Sequence, residues 1–490
     1  MSQTTDKAQT KDTTNESEAA IQKLIATARV ARDPAGTPYL FVAEGPLRAI
    51  PLSSEWAKVH LMGAFHQETG KHLGTDAVKA VILRLGELAA IEPAVAVGIR
   101  VGARLRFVEI DLADRDGHVV RIDAGGVKLC STSTLPFLRR QGMLSLPVPD
   151  FGCGFLAEEV AQVWSWERQE HIVLVCAYLI GALNPLIASP LLQIVGPQGS
   201  AKSTLERGLR RIIDPHGVPL RSMPENLRDL YIGAHNNYML AFDNLSGISR
   251  SISDALCCIV SGGGHATRKL YFDDSESLIV VRRPVVISGI HPTVSRPDLL
   301  DRTITIALPP ISAGERMTEA AFWARFEAAL PRILGALYGA VSGALLNADE
   351  IQVTRLPRLA DWYVWVLAAV KSAHLGVTTA EFEDIFWRSR ADANDVALDD
   401  SCVGRFIMEL AQRKAGWTGT QSQLLDEVSG LAGDRVSRAR EWPSSPQALR
   451  RELDRIAVNL ASTGVCMTFT RAKSKRRDRI VQLTWRGRAS

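Results

Sequence analysis

Between Leu191 and Asp214 the chain reads LLQIVGPQGSAKSTLERGLRRIID: an apolar run, a loop of small residues, then an amphipathic run that opens with a lysine and two hydroxyls. That succession predicts a buried strand, a tight loop and a helix with nothing between them. Gly196 and Gly199 let backbone amides curl around an anion, with Pro197, Gln198, Ser200 and Ala201 completing the loop. Lys202 would neutralise phosphate charge, the Ser203 hydroxyl would ligate Mg²⁺, and Thr204 follows on the first helical turn. This is a Walker A spelling, and it predicts ATP as the ligand. The departure is Ala201, which stands where GxxxxGK[ST] has its second glycine; alanine is harmless there in helical angles and costly at positive φ. The plainer alternative is a glycine-rich turn carrying a solvent-facing lysine.

About forty residues on, YMLAFDNLS reads as a strand ending in Asp243, a carboxylate placed to complete the Mg²⁺ shell. Asn244 follows where a glutamate commonly polarises the attacking water. Turnover is then slow, or the base comes from elsewhere. A buried strand closed by an Asx turn is the alternative.

The surrounding chain fits an α/β protein. Its 490 residues correspond to roughly three domains, and with 46% hydrophobic and 22% charged residues it is neither disordered nor fibrous. Seven cysteines, odd in number and without a CxxC pair, argue for reduced thiols in a cytoplasm and against a structural zinc. Residues 172–201 carry no charge, but the continuous apolar part, IVLVCAYLIGAL, is too short for a membrane span and fits a core helix. Residues 1–19 read as a disordered leader. Residues 20–150 read as an α+β module, with two helical runs followed by a β-meander. Residues 155–312 form the α/β domain, 313–398 a helical segment. In residues 399–490 the order helix, short strand, helix, helix, strand, basic turn, strand is the plan of a winged helix.

Downstream of Asp243, the segment SISDALCCIVSGGGHATRKLYFDDSESLIVVRRPVVISG reads as a helix, a glycine run, a hairpin and another apolar strand. This order resembles the superfamily-three helicases of the AAA+ class, above all the poxvirus-type primase-helicases with their phage and plasmid relatives. The GSAKST and FDNLS spellings look like those of uncharacterised ATP-binding proteins of bacterial phages and mobile elements. The resemblance covers about residues 155–312. It implies an AAA+-like P-loop core, a sensor residue at Ser288 where the family usually has Asn, and an arginine finger at Arg302, with Arg296 as a second candidate. It also implies a homo-oligomer, a hexameric ring, with each finger reaching a neighbour's nucleotide, and DNA gripped by the hairpin through Arg268 and Lys269. The hairpin's acidic tip, DDSE, is wrong for holding phosphates. Arg302 has a plainer reading too, as a surface arginine paired to Asp298 or Asp301.

Net charge is only +4, yet Met467–Ser490 carries eight basic residues against one acid. A polyanion partner therefore has its footprint at the C-terminus. In the winged-helix reading, Arg450, Arg451 and Arg455 on the helix SPQALRRELDRIAVNLASTG and Lys473, Lys475, Arg476 and Arg477 on the wing contact phosphates; the alternative is a solvated basic hairpin on a protein-binding domain. Glu109 and Asp111 share one strand face, but without further ligands a plain strand is preferred to a metal site. His265, Cys257 and Cys258 read as structural.

Taken together these features predict an ATP-dependent DNA helicase or translocase of a phage or mobile-element replication system, with catalysis by Lys202, Asp243, Asn244, Ser288 and Arg302. The alternative is a nucleotide-gated DNA-binding regulatory or defence ATPase with little turnover. An oligomeric scaffold that ignores nucleic acid is disfavoured by the basic tail. No membrane partner is expected.

Overall fold

The computed structural model describes residues 18–43, 45–164, 166, 168–268, 276–312, 314–399, 401–471 and 479–487, with the side chains of 264–268, 276–280, 397, 458, 471 and 479 left aside. Two antiparallel meanders come first. Strands β1 (Arg29–Arg32), β2 (Pro38–Ala43) and β3 (Leu47–Pro51) pair in that order. The helices Glu55–Thr69 and Thr75–Ile91 bury Leu61, Val81 and Leu85 against Leu40 and Leu52 of this part. The first of them is capped by Ser54, whose side chain accepts from the Ala57 amide, and ends at left-handed Gly70. Strands β4 (Val101–Arg104), β5 (Phe107–Asp111), β6 (Val119–Asp123) and β7 (Gly126–Cys130) make the second meander.

Next comes a parallel sheet that carries the candidate site. Its strands are β8 (Leu191–Val195), β9 (Leu240–Leu245), then, after the hairpin β10 (Gly264–Arg268) and β11 (Glu276–Val280), β12 (Val285–Gly289) and β13 (Thr303–Ala307). The order is β13-β8-β12-β9. All three pairings are parallel, so every strand delivers its C-terminal end to the same edge. Period-two alternation sends Leu192, Ile194, Val286 and Ile304 to one face, against the helices Gln169–Ala182 and Lys202–Ile213. It sends Leu191, Phe242, Val285 and Ile287 to the other, against Leu227–Asn236 and Arg250–Ser261. A sheet covered on both faces needs largely apolar strands, and the polar residues of β8 and β12 are both hydrogen-bonded: Gln193 donates to Thr305 and accepts from the Thr293 and Val294 amides, and Ser288 donates to Asp243.

The apolar start of the charge-free stretch lies in the helix Gln169–Ala182, buried from His171 to Ala182 at the centre of the main core. The helix Glu319–Asn347 is long and apolar enough to cross a bilayer, yet two thirds of its apolar window is buried inside the fold, where it packs on β6 and β7. A buried ionic network joins the second meander to the helix after the phosphate loop. Fully buried Arg100 donates to the Asp111 and Leu144 carbonyls and reaches Asp214 at 3.4 Å. Asp214 also pairs with Arg210 at 3.2 Å and accepts from the Tyr238 and Met239 amides. Burial opposes its charge, but Arg210 and Arg100 hold its carboxyl below the ordinary aspartate range. Glu109 and Asp111 are engaged internally as well, Glu109 with Thr134, Leu135 and Arg121, Asp111 with both arms of Arg139 at 2.8 Å.

At the C-terminal end, the helices Gly404–Arg413, Gln421–Ser437 and Pro446–Ser462 pack on a small antiparallel sheet of β14 (Trp417–Thr420), β15 (Val465–Arg471) and β16 (Arg479–Trp485), ordered β14-β16-β15. Ser445 caps the third helix and Pro446 occupies its first turn. That helix also rests on Thr379–Asp399, where Asn459 donates to Asn394 at 3.0 Å, and it touches Pro297–Leu300. All seven cysteines are free thiols.

A candidate phosphate-binding site at the edge of the parallel sheet

The loop leaving β8 turns on three residues at positive φ: Gly196 at 157°, Gly199 at 77° and Ala201 at 59°. Gly196 also has no room for a side chain, since an added Cβ would sit 2.4 Å from the Leu308 carbonyl oxygen. Ala201 is the costly case: an L-residue with a Cβ is held in the left-handed region at the mouth of the helix Lys202–Ile213. This helix has neither a side-chain cap nor an acidic residue in its first turn. Its leading amides and the positive end of its dipole are therefore left for an anion.

Lys202 lies across the loop, its Nζ donating to the Gly196 and Pro197 carbonyls at 2.8 Å. Burial holds its ammonium below the ordinary lysine range, against the pull of the Asp243 carboxylate. Ser200 is buried and donates to the Pro197 carbonyl at 2.9 Å, bracing the loop from inside. Ser203 stands on the first helical turn, part-exposed.

Strand β12 lies between β8 and β9, and it brings Ser288 to Asp243. The Ser288 hydroxyl donates to Asp243 Oδ1 at 2.6 Å, and the Asn244 amide donates to the same oxygen at 2.7 Å. Oδ2 accepts no hydrogen bond among the described residues. It is the atom that, with the Ser203 hydroxyl, would face a divalent cation. Asn244 is exposed at φ 59°, a left-handed position that asparagine tolerates far better than glutamate. The turn geometry thus gives a local reason for asparagine after Asp243.

Glu206 is the functional candidate that sequence reasoning missed. It is 0% exposed beneath the loop, on the face of the helix that packs against β9 and β12. No hydrogen bond of good geometry reaches either carboxylate oxygen. Burial pushes its carboxyl up to about 8, with the Asp243 charge adding to the rise while the Ser288 hydroxyl and Phe242 amide soften it. The site therefore holds, beside the half-exposed Asp243, a buried glutamate that is protonated at neutral pH.

Arg302 sits at the start of β13, at the sheet edge opposite the loop, because Thr303 pairs with Leu191 and Ala307 with Val195. Its guanidinium donates to Ser261 Oγ at 3.1 Å and to the Asp298 carbonyl at 2.5 Å. Asp301 pairs instead with Arg390 at 2.6 Å. Arg296 is paired to Asp254 at 2.9 Å. Neither arginine lies at the loop 196–204. Of the expected nucleic-acid contacts, Arg450 is paired to Asp454 and lies over the Phe469 ring, and Arg455 is paired to Glu452. Arg451 is exposed, with no ion pair among the described residues. Lys269, Lys473, Lys475, Arg476 and Arg477 lie outside the described residues, and Arg268 is described only as the end of β10.

Two family models match the chain. That of the actinomycete integrative conjugative element replication protein covers residues 159–385, and that of the C-terminal domain of the same protein, AICE RepA, covers residues 403–490. The chain belongs to this family of replication proteins. The first match encloses the loop, Asp243, Ser288 and Arg302 of this mobile-element replication protein; the second encloses its basic C-terminal helix. No curated protein matches the replication protein. Among solved structures, the NrS-1 C-terminal region is similar over 95% of this chain and 98% of its own, at 12% identity and a TM-score of 0.41. The JCV helicase is similar over 46% of this chain and 62% of its own, at 15% identity and a TM-score of 0.24.

Proposed function

We propose that this replication protein binds ATP at the loop 196–204, hydrolyses it, and uses the cycle to move on or open DNA during replication of its element. The observation that carries the reading is the uncapped helix Lys202–Ile213 behind a loop at positive φ, with Asp243 and Ser288 joined beside it. The first-turn amides and Lys202 would hold the phosphates. Ser203 and Asp243 Oδ2 would hold Mg²⁺, which when bound supplies positive charge at the phosphate oxygens. Ser288 keeps Asp243 turned so that one oxygen stays committed and the other open. Two features support DNA as partner: the basic C-terminal segment, and Arg451 exposed on the helix ahead of β15 in a winged-helix-like order. Arg302 stands far from its own loop, so a role in hydrolysis requires a neighbouring subunit, consistent with a ring of like subunits.

This scheme is tested by unwinding of a forked DNA duplex across a range of protein concentrations, with Arg302→Ala mixed into wild type. Cooperative concentration dependence and poisoning by the variant are expected. Unwinding that scales linearly with protein, or is indifferent to the variant, contradicts it.

A second reading is a nucleotide-gated DNA-binding switch with little turnover. It is favoured by exposed Asn244 in place of a carboxylate and by the burial of Glu206 away from solvent. Tight ATP binding without hydrolysis would select it.

A further inference from the structure

Beside the phosphate loop, on the flank formed by Gly199, Ser200, Ala201 and Thr204, opens a cavity of about 630 Å³. Its far walls come from two segments well apart in sequence: Trp164 and Trp166 ahead of the parallel sheet, and Met317 and Phe322 at the start of the long helix. We propose that this cavity is the subsite for the base and ribose of a nucleoside triphosphate whose phosphates lie on the loop. The proposal rests on the reading of the loop as a phosphate site and adds what holds the rest of the ligand.

Four observations converge on it. The volume lies within the range of small-molecule sites, which are apolar with a few polar groups at the rim. The aromatic rings meet edge-on or tilted and not face to face: Trp164 and Trp166 have centroids 6.4 Å apart at 70°, Trp164 and Phe322 6.2 Å apart at 51°. Such rings still have faces on which a flat heterocycle can stack. The indole N–H groups of Trp164 and Trp166 are buried and have no hydrogen-bond partner among the described residues, although Trp164 is only 7% exposed. A buried donor left unpaired is costly; both N–H groups are closed off from the cavity as the rings stand, so a turn of the indoles on binding is what would bring them to the ring nitrogens and hydroxyls of a nucleoside. The last observation is charge. Arg207 is bound to Glu319 at 2.6 Å and Arg325 to the Val163 carbonyl. Arg316 is exposed with no ion pair among the described residues, and its Nη2 would be 3.9 Å from a Cβ added at Gly199. It is the uncommitted cation where the cavity meets the loop, placed for the oxygens between phosphate and sugar.

Continuity with the loop is what selects a nucleotide over an apolar peptide. The residues flanking the cavity are the loop residues themselves, so a ligand anchored there by phosphate has its organic part delivered against the tryptophans. A peptide side chain would fill the aromatic half and leave Arg316 and the helix amides unused.

The test compares ATP with inorganic tripolyphosphate, each with Mg²⁺, by titration calorimetry on the full chain, together with quenching of tryptophan fluorescence. Wild type should bind ATP more tightly than tripolyphosphate, and only ATP should quench. Trp166→Ala should weaken ATP by about tenfold or more and leave tripolyphosphate affinity unchanged, the latter also showing that the variant folds. Trp166→Phe, which keeps a stacking face, should recover most of the loss. Equal affinities of wild type for the two ligands, or an ATP affinity that Trp166→Ala leaves intact, overturns the subsite while the phosphate loop stands. If tripolyphosphate does not bind wild type, or binds Lys202→Ala equally well, the loop reading falls and the subsite falls with it.

Discussion

The Ser288 hydroxyl and Asp243 Oδ1 are 2.6 Å apart, across the pairing of β12 with β9. A hydrogen bond to a charged acceptor contributes about 1.5–3 kcal/mol when it is lost from a buried site. Removing it frees the carboxylate to rotate and leaves only the Asn244 amide on that oxygen. Ser288→Ala should therefore lower ATP turnover by about tenfold or more and raise the Mg²⁺ concentration needed for half-maximal rate, with ATP affinity little changed. Steady-state rates over a Mg²⁺ series check this. An unchanged rate and Mg²⁺ requirement would show that the pair is incidental.

Glu206 gives the stability of the protein a pH signature. An unfolded glutamate ionises near its ordinary value of 4.5, whereas in the folded chain burial holds Glu206 protonated up to about 8. Folding then takes up a proton between these values, so stability falls as pH rises through this window and levels off above it. The total loss is on the order of a few kcal/mol. Glu206→Gln removes this contribution. Between pH 6 and 9 the melting temperature of the nucleotide-free wild type should drop further than that of the variant; parallel curves would mean that Glu206 ionises in place.

Ala201 is held at φ 59°, a region glycine enters freely and alanine does not. Ala201→Gly should stabilise the nucleotide-free chain by roughly 0.5–1 kcal/mol, read as a small rise in melting temperature. A fall would mean that the alanine methyl contributes packing that outweighs its backbone strain.

The strand, loop and helix of 191–214 were legible because a strand buried on both faces must be largely apolar and a phosphate loop must carry small residues and a lysine. The β4–β7 meander shows in its alternation for the same kind of reason. Strands β1–β3 were not legible: RVAR is charged at both ends, β2 opens on Pro38, and the turn between them hangs on Asp33, whose side chain accepts from the Thr37 amide. Glu206 was hidden because in LERGLRR a glutamate beside arginines reads as solvent-facing, and only packing on β9 and β12 buries it. The cavity by the loop joins Trp166 to Phe322, residues that no local pattern connects. In RRELDR the spacing of Arg450 to Asp454 and of Glu452 to Arg455 already allowed the ion pairs that now occupy two of this helix's three arginines expected to meet DNA.

That division makes the C-terminal helix testable. Arg451, exposed and without an ion pair among the described residues, should behave as a phosphate contact: Arg451→Ala should weaken binding to all DNA sequences alike and reduce the slope of log affinity against log salt by about one. Arg450→Ala should cost stability first, since its guanidinium lies 3.2 Å from the centre of the Phe469 ring and is bound to Asp454. Affinity measured by fluorescence anisotropy at several salt concentrations separates the two. A salt slope unchanged in Arg451→Ala would remove this helix from the DNA footprint.

The most direct test of the account is steady-state ATP hydrolysis with and without single-stranded DNA, with Lys202→Ala as the blank for contaminating activity. The account predicts turnover that is abolished in Lys202→Ala and increased by DNA. Hydrolysis that is equal in the variant, or absent in the wild type despite bound ATP, would contradict a DNA-dependent motor.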